Sequence, residues 1–566
     1  MLVEKGKNVL YYYLTMLKDI HLRIYVCSIA KLTNKRKREN DMDRTTNPKK
    51  RLKKLKGRMQ SSFSGFLRAC IVGALVLFQF AIIIIIPFIL RGYATSFYIL
   101  LEISALIAII ALTNDKHNDA YKFSWMCVIL IFPISGLIMF NLWGKVGKKN
   151  KLNKAIAEQM KATDNRLVQD PEVSERFSLE HPVSSRMSKY MTAMGSPLFK
   201  NNEAKYYPFG EDAFEDLFED LEQAEHFIFI EFFIVAEGAI WDQIHEILLR
   251  KIHEGVKVKF LYDDFGALFR TGKDFAANLR KEGFEVEVFN PIHKYASKLY
   301  MNFRDHQKIV VIDGNIGYTG GFNLADEYAN LIERFGVWKD AGIRVEGDAV
   351  WGLTVTFLEM WVVSSSEKNI DPEIYRPMKK FPENNVYCHV LRDGPALGET
   401  SFVGSVYKQM INYAGKTLYI MTPYLILEET LTRSLVEAKR RGVDVRVITP
   451  NIPDKKHVKW MTEYYYGELL KCGIRIYEYT PGFVHSKVVL EEHCAVVGTI
   501  NMDYRSFYLH YENGIWIYNE EFLQEVRKDF DETFRVSREI TYEEWKNRPI
   551  KRQIMQHFLK VFSTLV

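Results

Sequence analysis

The sequence predicts two similar α/β halves packed about a pseudo-twofold axis, preceded by N-terminal transmembrane helices. Three observations carry this expectation. A strand, a helix, a glycine and a second strand occur twice in the same order. A His-x-Lys signature occurs twice, about 180 residues apart, each time near the end of such a unit. Long apolar runs precede both copies.

In the first half, residues 226–235 (HFIFIEFFIV) read as a strand. Residues 240–253 place Ile, Leu and Trp at helical spacing, and Gly255 and VKVKFLYDD follow. The second half repeats this with KTLYIMTPYL from Lys416, LTRSLVEAKRR from Leu431, Gly442 and VDVRVIT. The repeat of elements is independent of the signature, so two features point to one duplication. The expected boundaries are a basic arm (1–66), a transmembrane region (67–145), a polar linker (146–180), a first half (181–375) and a second half (376–540). A C-terminal amphipathic helix (541–566) completes the chain, with Ile550, Ile554, Phe558, Val561, Phe562 and Leu565 at helical spacing beside Lys551, Arg552 and Lys560.

Residues 69–90, with five consecutive isoleucines from Ile82, and residues 123–143 are each long enough to cross a hydrocarbon core of about 30 Å. Residues 96–112 are shorter and contain Glu102, so two or three spans are expected. Three spans would put the arm and the cluster Lys145, Lys148, Lys149, Lys151 and Lys154 on opposite sides, against the positive-inside rule. A multi-pass protein of the cell membrane with a cytoplasmic catalytic domain is the expectation, with the middle segment re-entrant or one basic cluster outside.

The net charge of +6 is concentrated in residues 31–58, where 13 Lys/Arg face 3 Asp/Glu; this +10 segment leaves the remainder mildly acidic. Beside an apolar run, such a segment fits anionic lipid headgroups better than nucleic acid. The lack of excess positive charge elsewhere argues against a nuclease. Six scattered cysteines without C-x-x-C spacing give no zinc motif and no disulfide framework.

The first signature is His306-x-Lys308 with Asp313, continuing to Gly320, Gly321 and Asn323; the second is His485-x-Lys487 with Glu492, continuing to Gly498, Thr499 and Asn501. In a strand the His and Lys of each copy share one face. Two imidazoles can act as nucleophile and general acid, while Lys308, Lys487, Asn323 and Asn501 hold the phosphoryl oxygens. The lysines supply charge that a metal would otherwise supply, so no metal and no cofactor are expected; Glu231, Asp263 and Asp264 are read as structural or substrate-positioning groups. The second copy departs from the first: Glu492 stands where Asp is expected, and Gly498 falls one residue early. The motif acid reads better as a structural hydrogen-bonding group than as a proton carrier.

The words NFRDHQKIVVIDGNIGYTGGFNLADEY from Asn302, and FVHSKVVL with VGTINMDYRSF between Phe483 and Phe507, resemble the phospholipase D superfamily, and within it the bacterial cardiolipin synthases. The resemblance runs from the apolar segments near Ser96 to the C-terminus. It implies two phospholipase D-type halves, a phosphohistidine intermediate with His306 as nucleophile and His485 as acid, and Asp340 and Glu512 as groups orienting the histidines. It also implies phosphatidylglycerol as substrate, with cardiolipin and glycerol as products. Another acceptor, giving a phospholipase D or a different phosphatidyltransferase, is the nearest rival; a degraded membrane scaffold is the more distant one.

Overall fold

The computed structural model describes residues 73–114, 118–144, 151–268, 270–291, 302–368, 370–377, 379–398 and 400–565. The basic arm, Cys27, Cys70, Lys145, Lys148 and Lys149 lie outside the described residues.

Fully buried, β-branched and aromatic segments dictate two central sheets. In the first half the strands are β1 (Asn202–Tyr207), β2 (Phe227–Phe232), β3 (Lys257–Asp263), β4 (Glu285–Phe289), β5 (Lys308–Ile312), β6 (Ile316–Gly320) and β7 (Gly342–Gly347). Their order is β1-β7-β6-β5-β2-β3-β4. In the second half they are β8 (Tyr387–Asp393), β9 (Thr417–Met421), β10 (Asp444–Pro450), β11 (Arg475–Tyr479), β12 (Val488–Glu491), β13 (Ala495–Gly498) and β14 (His510–Tyr518), ordered β8-β14-β13-β12-β9-β10-β11. The two orders are identical, strand for strand. So are the directions: β2-β3-β4 and β9-β10-β11 are parallel, and all other neighbours on these paths are antiparallel. The second sheet alone gains edge strands, Leu198–Phe199 beside β8 and Ser537–Ile540 beside β11.

The parallel connections are the repeated units read in the sequence, through helices Ala239–His253 and Glu429–Arg440. Gly255 and Gly442 end these turns at the same φ of +95°. A Cβ at either would meet nothing within 4 Å, so left-handed backbone rather than crowding calls for glycine.

One continuous apolar cluster takes Phe229, Ile309 and Val345 from the first sheet and Val488, Val497 and Ile515 from the second. Helix Val350–Ser364 enters the same cluster, with 13 of its residues buried, which explains why it is largely apolar on every side. Two short parallel pairs stitch the halves at the seam: Arg304–Asp305 with His510–Tyr511, and Val337–Lys339 with Gly482–Val484.

Among the described residues one helical stretch, Gly73–Thr113, is long and apolar enough to cross a membrane; two or three separate spans were expected. It is not a straight rod. The Tyr98 hydroxyl donates to the Ile83 carbonyl at 2.6 Å, although 15 residues of straight helix would separate them by about 22 Å. The axis reverses at the tight turn Arg91–Tyr93, where Arg91 has φ +44°. The run 123–143 forms no single helix of spanning length. Pro133 disfavours helical backbone at Phe132, which sits at φ −129°, ψ 73°, and the run divides into Asp119–Ile131 and Pro133–Met139 followed by a wide turn at Phe140–Gly144. The two pieces fold onto each other through Gly136, whose position leaves no room for a Cβ against the Val128 carbonyl. They pack on the second half, where Tyr121 stacks on Tyr504 with ring centroids 5.6 Å apart.

The stretch read as a polar linker is helical at Lys151–Thr163 and Pro171–Glu180, because each helix carries its own buried side chains, Ile156 and Phe177. The Thr163 hydroxyl and the Arg392 guanidinium both bond the buried Glu359 carboxylate. At the C-terminus, helix Ile550–Val561 docks on helix Lys456–Lys471: Gln556 donates to Glu463 at 3.0 Å and the Arg552 guanidinium pairs with the same carboxylate. Its other face leaves Ile550, Ile554 and Phe558 exposed.

Candidate active site

Each histidine stands between a seam strand and a sheet strand. His306 follows Arg304–Asp305 and precedes β5; His485 follows Gly482–Val484 and precedes β12. The parallel seam pairs then fix each histidine against the opposite half. The His306 backbone N–H donates to the Tyr511 carbonyl at 2.9 Å, and that of His485 donates to the Lys339 carbonyl at 2.6 Å. The next residues on those opposing chains are Glu512 and Asp340.

The carboxylates therefore cross over. His306 Nδ1 lies 2.9 and 2.8 Å from the two oxygens of Glu512, and His485 Nδ1 lies 2.7 Å from Asp340 Oδ2. Each half supplies the group that orients the other half's imidazole. With Nδ1–H committed to a carboxylate, the Nε2 atom of each ring is the one left for chemistry.

The Lys308 and Lys487 side chains fold back so that each Nζ donates to the carbonyl of its own motif histidine, at 2.6 Å for Lys308. Both are almost wholly buried. Burial pulls Lys308 down to about 8 and Lys487 to about 7, despite Glu512 and Asp340 nearby. Burial also holds His306 well below the usual imidazole range, with Lys308, Lys487, His485 and Lys455 adding to it. His485 falls to about 4 through burial and Lys487, partly offset by Asp340. Burial would raise Asp340, but His485 and Lys487 hold its carboxyl below the ordinary value. Four buried basic groups thus crowd one site, and an anion is what would relieve them. Phe233 sets its ring edge against His306 at 5.0 Å, while Trp338 and Tyr328 flank His485 at 5.2 and 5.5 Å.

Asn323 accepts the Ile234 N–H on its carbonyl oxygen at 3.0 Å, which leaves its NH2 end as donor. Asn501 Oδ1 is buried without a partner among the described residues. The Thr499 hydroxyl bonds the Glu512 carboxylate. The equivalent position in the first half is Gly321, where a Cβ would collide with Asp340. The halves thus solve the same orienting problem with different residues.

Asp313 and Glu492 do not face the histidines. Asp313 accepts the backbone N–H groups of Glu225, His226 and Phe227, all at 2.8 Å, at the start of β2. Glu492 does the same for Gly415, Lys416 and Thr417 at the start of β9, at 2.5, 3.1 and 3.3 Å. Both are strand-start clamps rather than groups of the reacting centre, and the longer Glu reaches the same target from the shortened hairpin. Asp313 is buried and Glu492 half-buried. Asp313→Ala is expected to cost about 2–4 kcal/mol by orphaning the buried Phe227 N–H and two partly buried ones, and Glu492→Gln less than about 1 kcal/mol. Denaturant unfolding of the two variants measures the difference.

Asp263 takes the Phe265 and Asp305 N–H groups and Arg304, so it is a structural cap. Glu231 and Asp305 form a buried acid pair in which burial and mutual repulsion raise Glu231, and burial lifts Asp305 to about 7.

Two crossed His–carboxylate pairs, with two buried lysines and two asparagines, define a two-histidine phosphodiester-transfer site on a duplicated α/β fold. The family model described as "Cardiolipin synthase, PLD-like domain" matches residues 217–340 and 407–534, the segments that carry both signatures. A cardiolipin synthase of Geobacillus kaustophilus is 31% identical, covering 83% of this chain and 94% of its own length; cardiolipin synthase 1 of Bacillus anthracis is 30% identical, with 87% and 99% covered. An uncharacterized protein of Streptococcus mutans is 36% identical, with 81% and 99% covered. The structure of phosphatidylserine synthase from Haemophilus influenzae shares the fold at a TM-score of 0.52 and 15% identity, covering 67% of this chain and 97% of its own. The chain belongs to the cardiolipin synthase family of the phospholipase D superfamily.

Proposed function

We propose that the chain transfers a phosphatidyl group from one phosphatidylglycerol to a glycerol hydroxyl of another, forming cardiolipin and releasing glycerol. The crossed pairing of His306 with Glu512 and His485 with Asp340 is the observation that carries this reading. His306 is the nucleophile, as the family resemblance implies, and burial with the neighbouring cations holds it neutral.

In the first step the His306 Nε2 lone pair attacks phosphorus, and the P–O bond to glycerol breaks. His485 Nε2–H gives its proton to the departing oxygen. In the second step the hydroxyl of the acceptor lipid returns a proton to His485 as its oxygen attacks phosphorus and the N–P bond breaks. Lys308, Lys487 and the amide of Asn323 stabilise the charge on the phosphoryl oxygens. Purified full-length protein in detergent should convert phosphatidylglycerol to cardiolipin and glycerol in excess chelator. Phosphatidic acid without cardiolipin would make the acceptor water, and loss of activity restored by Mg²⁺ would overturn the role given to the lysines.

The lysines act in their charged forms, and their lowered pKa values mean that this charge is lost at lower pH than usual. The value of kcat/KM should therefore fall more steeply as pH rises through about 7 to 8, beyond the fall that deprotonation of the acid His485 sets from about 4. Bound phosphodiester favours the charged lysines, so kcat should fall only at higher pH. A kcat/KM profile flat to pH 9 would contradict this.

For the membrane, the reversal at Arg91–Tyr93 supports a helical hairpin with arms of about 27 and 30 Å (73–90 and Ala94–Thr113), each near the hydrocarbon thickness. Both ends of a hairpin return to one side. With a hairpin in place of three spans, we read the catalytic halves as cytoplasmic.

A further inference from the structure

A third imidazole, His510, belongs to neither signature. It is about nine-tenths buried at the first position of β14 and packs on the nucleophile, with the His306 and His510 rings 5.3 Å apart. Its Nδ1 has no hydrogen-bond partner among the described residues; the nearest acid, Glu512 Oε1, is 3.8 Å away, too far for a hydrogen bond. A buried imidazole nitrogen left without a partner, aimed at a carboxylate that another imidazole already touches, is a set of donors rather than a packing group.

We propose that His306, His510 and Glu512 form an inhibitory site for a divalent transition ion, with Zn²⁺ the best fit. One donor atom from each of the three residues lies within 4.8 Å of the others, and the measured separations from Glu512 are 2.8 Å to His306 and 3.8 Å to His510. Tetrahedral zinc with bonds near 2.1 Å wants donors about 3.4 Å apart, so the 2.8 Å pair must open by about 0.6 Å and the widest pair close by up to about 1.4 Å, shared between two side chains. Two imidazoles and one carboxylate with an open fourth position suit Zn²⁺, whereas Mg²⁺ and Ca²⁺ prefer all-oxygen sites. Lys308 and Lys487 oppose a further cation, and the Glu512 carboxylate offsets them.

The ion inhibits by changing which nitrogen carries the proton. In the working site Nδ1–H of His306 donates to Glu512, and the Nε2 lone pair attacks phosphorus. Zinc takes the Nδ1 lone pair, the ring proton moves to Nε2, and the attacking lone pair is gone. No proton is gained or lost, and chelation reverses the change. This mechanism of inhibition rests on the role given to His306, but binding of the ion does not.

Calorimetry of the full chain in detergent with Zn²⁺, without lipid, reads binding directly, and turnover of phosphatidylglycerol across the same titration reads inhibition. The wild type should lose at least tenfold in rate as the site fills, recover with EDTA and ignore millimolar Mg²⁺. His510→Asn should keep its rate without zinc and need at least tenfold more zinc for the same inhibition. Co²⁺ should give the visible absorption of a tetrahedral N/O site in the wild type and lose it in His306→Ala, which serves if His510→Asn does not fold. Equal zinc sensitivity of wild type and His510→Asn, or the same Co²⁺ spectrum without His306, overturns the proposal. Saturable binding abolished by His510→Asn but without effect on turnover would instead overturn His306 as nucleophile.

Discussion

His306→Ala should be inactive towards every phosphatidyl substrate, whatever its leaving group, because without the Nε2 nucleophile no N–P bond forms. His485→Ala should behave differently. Loss of a general acid costs about 10²–10⁴ in rate when an alkoxide must leave and much less when the leaving group is acidic. The His485 variant should therefore retain first-step activity on a phosphatidyl ester of p-nitrophenol while failing on phosphatidylglycerol. The asymmetry separates the two roles in a way that uniform loss from damaged packing would not, since both histidines are equally buried and both backbones are pinned by the opposite half. Equal inactivity of the two variants on the activated ester, with native melting curves, would contradict the assignment.

The second large effect concerns the crossed carboxylates. Glu512→Gln and Asp340→Asn preserve shape but can donate an N–H to the imidazole Nδ1, which favours the tautomer with hydrogen on Nε2. For Glu512→Gln this removes the attacking lone pair. A fall of roughly 10²–10⁴ in kcat with little change in KM is expected, by comparison with other carboxylate–histidine pairs. Because Glu512 serves the histidine of the other half, its loss should abolish phosphohistidine formation at His306, a residue 206 positions away. Asp340→Asn should instead mimic His485→Ala, retaining the activated ester. Quenched-flow kinetics of both variants on both substrates checks this. If Glu512→Gln behaved like His485→Ala, the crossed pairing would not be the functional one.

Much of this was legible in the sequence for a physical reason: duplication repeats every local constraint. Gly255 and Gly442 mark the same left-handed turn, and the helices between the repeated strands lie within a residue or two of their expected starts and ends. Asp340 and Glu512 could be named from resemblance, but the crossing could not, because it is set by parallel seam pairs between segments nearly 150 to 200 residues apart. His510 left no motif; its meaning lies in where β14 begins. The motif acid reads as a structural group in the sequence, but which N–H groups Glu492 holds does not; its three partners form the same clamp as those of Asp313. Hydropathy counted apolar residues correctly but could not see Arg91 reversing the helix or Pro133 dividing the next one. The helices within the linker were not legible because polarity averaged over a segment hides a few buried side chains such as Ile156 and Phe177.

The central claim is that the two halves divide one reaction, with the covalent step on His306 and proton transfer on His485. Rapid-quench labelling with phosphorus-labelled phosphatidylglycerol, followed by peptide mapping, tests it most directly. Label should appear transiently on the peptide bearing His306 in the wild type, accumulate there when His485→Ala reacts with a labelled activated ester, and be absent from His306→Ala. Label on the peptide bearing His485, or none on either despite a burst of released alcohol, would contradict it.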